Sequence, residues 1–81
     1  MNIQLIQGQF NAEDALDIIT RMIDIKVKYH ENKITGASTE EDIKFRETKI
    51  RRLQDALADF RKSISEKSGN ITIDTIIKAA I

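Results

Sequence analysis

Apolar residues recur along this chain with two different periods, and each change of period marks the edge of an element. Near the start Ile3 and Leu5 alternate with Asn2 and Gln4, which predicts a short strand over 2–7 that Gly8 interrupts. Asn11 is a good N-cap, with Glu13 and Asp14 in the turn behind it, so a helix should open at Ala12. Phe10 stands just outside that cap, where it can pack onto the first turn around Ala15. From there Ala15, Leu16, Ile19, Met22, Ile23 and Val27 return every three or four positions, predicting a helix over 12–33. Ile18, Ile25 and Tyr29 widen its apolar arc to roughly half the circumference at about 100° per residue. One partner helix covers less than that.

Thr35, Gly36 and Ala37 break the pattern. Ser38 then opens a capping box with Glu41, and Glu40 and Asp42 add first-turn negative charge. The second helix is expected over 39–67, stopped by Ser68, Gly69 and Asn70. Ile43, Ile50, Leu57 and Ile64 lie seven apart, with Leu53 and Phe60 between them, a heptad with a single seam. Four pairs at i,i+4 flank it: Glu40–Lys44, Asp42–Arg46, Glu47–Arg51 and Lys62–Glu66. The short connection forces the two helices to lie antiparallel. Closing it on paper sets Ile23 against Ile50, Leu16 against Leu57 and His30 against Ile43. It also sets Lys26 against Glu47 and Lys33 against Glu40, and brings Arg46 near Tyr29.

The tail over 71–81 suits two templates. Ile71, Ile73 and Ile77 alternate like a strand, whereas Ile73, Ile76, Ile77 and Ala80 suit a helix capped by Asp74. The favoured reading is a brief extended piece at Ile71–Ile73 followed by a short helix. Phe60 and Ile64 need cover at the open end of the hairpin, and Ile3, Leu5, Ile6, Ile71 and Ile73 are the natural cover.

Length and composition sharpen this picture. Eighty-one residues make one domain, 1–81, with a thin core. With no cysteine and one histidine, disulfides and thiolate metal sites are excluded, and self-association is the remaining way to add buried surface. The fold class expected is therefore mainly α. It is a coiled-coil-like antiparallel two-helix hairpin with a short N-terminal strand and a short strand or helix tail, dimerising into a four-helix arrangement. The residues expected to make contacts are Ile18, Met22, Ile25, Tyr29, Phe45 and Arg52. Phe45 falls off the heptad seam beside Lys49, Arg52 and Ala56, and an aromatic next to an arginine has the composition of a contact hot spot.

Several kinds of chemistry are not written here. The residue three before His30 is Val27, so the Glu-x-x-His pattern of carboxylate-bridged metals is absent, and no metal or cofactor is expected. Ser38, Ser63, Ser65 and Ser68 read as a cap and solvent-facing positions without a nearby base. Neither Gly8 nor Gly36 belongs to a phosphate loop. Lysine plus arginine equals aspartate plus glutamate at 13 each, which argues against nucleic acid and anionic membranes as partners. Apolar runs fall far short of the ~20 residues that span a bilayer, and the start lacks a secretory pattern, so a cytoplasmic location is expected. The function this predicts is non-enzymatic: a helical-hairpin homodimer that also engages another protein as an adaptor, chaperone or assembly factor. The alternative is a nucleic-acid-associated accessory protein using Lys44, Arg46, Lys49, Arg51 and Arg52, with Lys26, Lys28 and Lys33 across the hairpin. Glu47 and Asp55 interleave with Lys44, Arg51 and Lys62, which favours an ordinary solvated face there.

Overall fold

The computed structural model describes residues 1–65 and 69–81. Four elements follow in order: β1 (Asn2–Phe10), α1 (Ala12–Lys33), α2 (Glu40–Ser65) and β2 (Ile71–Lys78). The expected continuation of α2 to Lys67, the Lys62–Glu66 pair and Ser68 lie outside the described residues.

α1 begins where its capping residue dictates. Asn11 Oδ1 accepts from the Asp14 backbone N–H at 2.8 Å, and the Ile34 N–H closes the other end on the Glu31 carbonyl at 3.1 Å. α2 is capped by Thr39 rather than Ser38: the Thr39 hydroxyl accepts from the Asp42 N–H at 3.1 Å. Ser38 is occupied inside the connection, where its Oγ accepts from the Thr35 N–H at 2.9 Å and lies 3.4 Å from the Lys33 carbonyl. Hydroxyls at consecutive positions compete for one cap, and the turn takes the first of them.

The tail overturns the expected fold class. Residues 71–78 form a full strand paired antiparallel with β1, with no short helix behind Asp74, so the chain is a two-helix hairpin joined to a two-stranded sheet. Six of the eight β2 residues are isoleucine or threonine, whose branched Cβ favours the pleated conformation. A helical tail would also leave β1 without a partner. β1 itself runs three residues past its expected end, through Gly8, which takes φ = +151°, a value that side-chain-bearing residues rarely adopt.

The ladder runs from Asn2↔Lys78 to Phe10↔Ile71 and slips by one residue between Gln4 and Ile6, leaving Leu5 as a bulge. Gln4 fastens the slip. Its Nε2 lies 2.7 Å from Asp74 Oδ1, 3.0 Å from the Ile6 carbonyl and 3.2 Å from the Thr75 carbonyl, so two protons serve three acceptors. At the far end of the ribbon Met1 and Ala79 exchange two hydrogen bonds, at 2.9 and 3.0 Å.

One face of the ribbon (Ile6, Phe10, Ile71, Ile73) packs on the start of α1 (Ala12, Ala15, Leu16, Ile19) and the end of α2 (Phe60, Ile64). Ile6, Ile71 and Ile73 thus supply the cover expected of them, and the mainly α, four-helix architecture gives way to sheet on helix. Ile3 and Leu5, also expected as cover, stay 43% and 47% exposed on the overhanging end. Along the heptad only Ile64 is buried, while Ile43, Ile50, Leu53, Leu57 and Phe60 remain half-buried.

Candidate interaction surfaces

Two surfaces stand out, one on the ribbon and one on the hairpin. β1 carries no charged residue and no proline over its whole length. Its outer edge makes no backbone hydrogen bond outside the ladder among the described residues, apart from the Ile6 carbonyl that takes the Gln4 amide. Proteins commonly guard such an edge with lysine, proline or a covering loop. Here only the Leu5 bulge interrupts it. Beside this edge Met1, Ile3, Leu5, Ile76 and Ile77 expose an apolar end to solvent. The edge of β2, by contrast, carries Asp74 and Lys78.

The second surface is a cleft between the helices in their loop-proximal half. A cavity of about 210 Å³ is lined by Lys26 and His30 from α1 and by Lys49, Arg52 and Leu53 from α2. His30 is 7% exposed and forms the buried side of this cleft. Its Nδ1 lies 3.0 Å from an Arg46 guanidinium nitrogen. Arginine only donates, so Nδ1 is the acceptor and the ring proton sits on Nε2. That buried Nε2–H has no partner among the described residues. Burial, then the charges of Arg46, Lys26 and Lys49, hold the imidazole below its ordinary pKa and keep it neutral.

Aromatic rings flank the cleft. The Arg46 guanidinium lies 5.7 Å from the Tyr29 ring centre and 5.8 Å from that of Phe45, and Lys49 sits 5.3 Å over Phe45. Lys33 lies over Tyr29 at 5.5 Å instead of reaching Glu40, which pairs with Lys44. Lys26 makes no ion pair with Glu47, and neither Asp42–Arg46 nor Glu47–Arg51 forms among the described residues. The ion pairs among the described residues, Asp17–Arg21, Asp24–Lys28 and Glu40–Lys44, lie on helix surfaces away from the cleft. The hydrogen bond and charge of Asp24 hold Lys28 above the ordinary lysine pKa.

Of the six residues expected to make contacts, Tyr29, Phe45 and Arg52 belong to this cationic, aromatic surface. Ile25 is 70% exposed on the same side of α1, and Ile18 and Met22 are half-buried and do not line the cleft. Sequence reasoning set Lys26, Arg46 and Lys49 together within a broader basic region across the hairpin but left His30 out of it. The signal was Lys26 and His30 one turn apart on α1, facing Arg46 and Lys49 on α2. It was obscured by a helix register about one turn away from the one drawn on paper. Among the described residues no group of three or more histidines or carboxylates is placed to hold a metal ion, and no helix is long and apolar enough to cross a membrane. No family model, curated protein or solved structure matches the chain.

Proposed function

We propose that this chain is a non-enzymatic protein-interaction module that works as a homodimer, built by pairing the free edge of β1 with its own copy. The observation that carries the reading is the mismatch between surface and size. The chain exposes 6540 Å², against about 5,000 Å² for a compact monomer of this mass. The excess, about 1,500 Å² on each chain, exceeds the roughly 800 Å² that each partner buries in a standard protein–protein interface. Among the described residues no large side chain is fully buried, so the single chain has little core of its own.

A second copy is the occupant that fits. Two β1 strands related by a two-fold axis pair antiparallel, each offering the same uncharged row of N–H and C=O groups, and the contact closes on itself. The ribbon then becomes a four-stranded sheet, past the size at which a lone two-stranded ribbon is marginal. The exposed β1 residues Ile3 and Leu5 would gain neighbours from the same event. With no cysteine to stabilise it in an oxidising compartment, the module belongs to the cytoplasm. Its role there is that of an adaptor, chaperone or assembly factor, acting through buried apolar surface rather than bond chemistry.

Sedimentation from about 1 to 100 μM should show a species of twice the chain mass. Changing Gln7 and Gln9, both on the exposed face of β1, to lysine together should give a folded monomer, because charge on an edge strand blocks pairing. A monomer throughout that range in the unaltered chain, or an undiminished dimer in the lysine variant, rejects the reading.

A further inference from the structure

We propose that the cleft formed by Lys26, His30, Lys49 and Arg52 binds a phosphate group. This goes beyond self-association, and it uses residues on the hairpin rather than on the ribbon. The first support is an imbalance that the overall neutrality of the chain conceals. On a wheel of about 100° per residue, the cleft-side arcs of α1 from Met22 to Lys33 and of α2 from Ile43 to Leu57 hold only basic, aromatic and apolar residues. The carboxylates Asp24, Glu31, Glu47 and Asp55 fall on other arcs; Asp42 and Asp59 lie about 20° from Lys49 and Arg52, but each stands about two turns along α2 from that cation and pairs with neither. No carboxylate among the described residues lies within 4.0 Å of a charged nitrogen of Lys26, Arg46, Lys49 or Arg52. Cations gathered without an internal counter-ion repel one another, and an anion arriving between them removes that repulsion.

The second support is independent of charge counting. His30 is more than nine-tenths buried at the cleft, and the bond from Arg46 fixes its proton on Nε2, where it meets no acceptor. A buried donor left unpaired costs about 1–3 kcal/mol. An anion that draws the lysines inward can offer the missing oxygen once a small shift of the buried ring opens Nε2 to the cleft. The tetrahedral phosphate suits this setting, since the Arg52 guanidinium can hold two of its oxygens while the lysines act as point charges. The exposed rings of Tyr29 and Phe45 beside the cleft are platforms on which a nucleobase attached to that phosphate would stack. Phosphate on a single-stranded nucleic acid and phosphate as a free ion share the same recognition chemistry, and the test separates them.

The full chain is titrated, in a phosphate-free buffer at low salt, with a fluorescent oligothymidylate of ten nucleotides and, separately, with inorganic phosphate followed by the amide and imidazole resonances of the protein. Two variants carry the same change of charge: Lys26→Glu with Arg52→Glu in the cleft, and Lys44→Glu with Arg51→Glu on the opposite side. Oligonucleotide binding that weakens with salt, drops about tenfold or more in the cleft variant and survives in the control supports the site and identifies its source as a nucleotide chain. Shifts at His30 and Arg52 with inorganic phosphate, lost only in the cleft variant and with no gain in affinity for the oligonucleotide, support the site with a free anion as its ligand. Absence of binding in both arms, or equal losses in the two folded variants, overturns the proposal. Neither result bears on dimerisation, which is read separately from the lysine variant of β1.

Discussion

A buried imidazole flanked by three cations is stable only while neutral, and this gives His30 a pH signature. Burial, Arg46, Lys26 and Lys49 lower its pKa in the folded chain. In the unfolded chain it returns to about 6.5. Between those two values the unfolded chain binds a proton that the folded chain refuses, so this contribution to stability is intact above about pH 6.5 and is lost as the pH falls below it. Urea midpoints between about pH 7.5 and 5.5, above the main carboxylate range, should fall, and His30→Leu should flatten that slope. A wild-type slope that persists in the leucine variant assigns it to other groups. Gly8 makes a second prediction at this scale. A Cβ there meets only the edge of the Phe10 ring at 3.9 Å, so space is available, but φ = +151° strains any side-chain-bearing residue. Gly8→Ala should therefore cost about 1 kcal/mol or more in denaturant unfolding, through the backbone rather than through a clash. Some of this scale was legible from sequence. The Asn11 cap was, because no neighbour competes for it. The Thr39 cap was not, because Ser38 presents the same chemistry one residue earlier and only the folded turn decides between them.

For the elements, the informative one is β2. Its residues satisfy helical and extended spacing equally well, and the choice rests on a partner seventy residues away in the chain that local pattern cannot weigh. The two templates make different predictions. A helix would place Ile73 and Ile77 one turn apart on one face, with similar burial. In the strand Ile73 faces Gly8 over the core at 8% exposure, while Ile77 lies beyond the helices at 40%. Ile73→Ala should thus cost about 2–5 kcal/mol and Ile77→Ala well under half of that, measured by chemical denaturation at low protein concentration. Equal losses would return the tail to a helix. The two long helices were legible to within a residue or so at their described ends, because each carries a cap and a long apolar repeat. Their register was not. His30 bonds to Arg46, about one turn beyond Ile43, and neither Lys26–Glu47 nor Lys33–Glu40 pairs among the described residues. A short connection fixes the direction of the second helix but leaves its axial offset open by about a turn.

As a whole molecule the chain is a thin plate, 47 × 33 × 14 Å, with a radius of gyration of 15.5 Å. A compact domain of 81 residues would have about 11.7 Å. Such a plate has little interior, and its ends close on each other, with Met1 bonded to Ala79. Stability that depends on a second copy rises with concentration, because the dimer adds a free energy that dilution removes. Melting of the wild-type chain should therefore move upward by several degrees between about 1 and 100 μM, given that about 1 kcal/mol shifts a domain of this size by about 4–8 °C. The chain with Gln7→Lys and Gln9→Lys should melt at one temperature across that range, equal to the dilute limit of the wild type. The comparison separates two accounts of the exposed apolar ribbon. If it is an interface, the two chains diverge as concentration rises and converge on dilution. If both melt together at every concentration, the ribbon end is exposed in the working molecule and β1 pairs with nothing but β2.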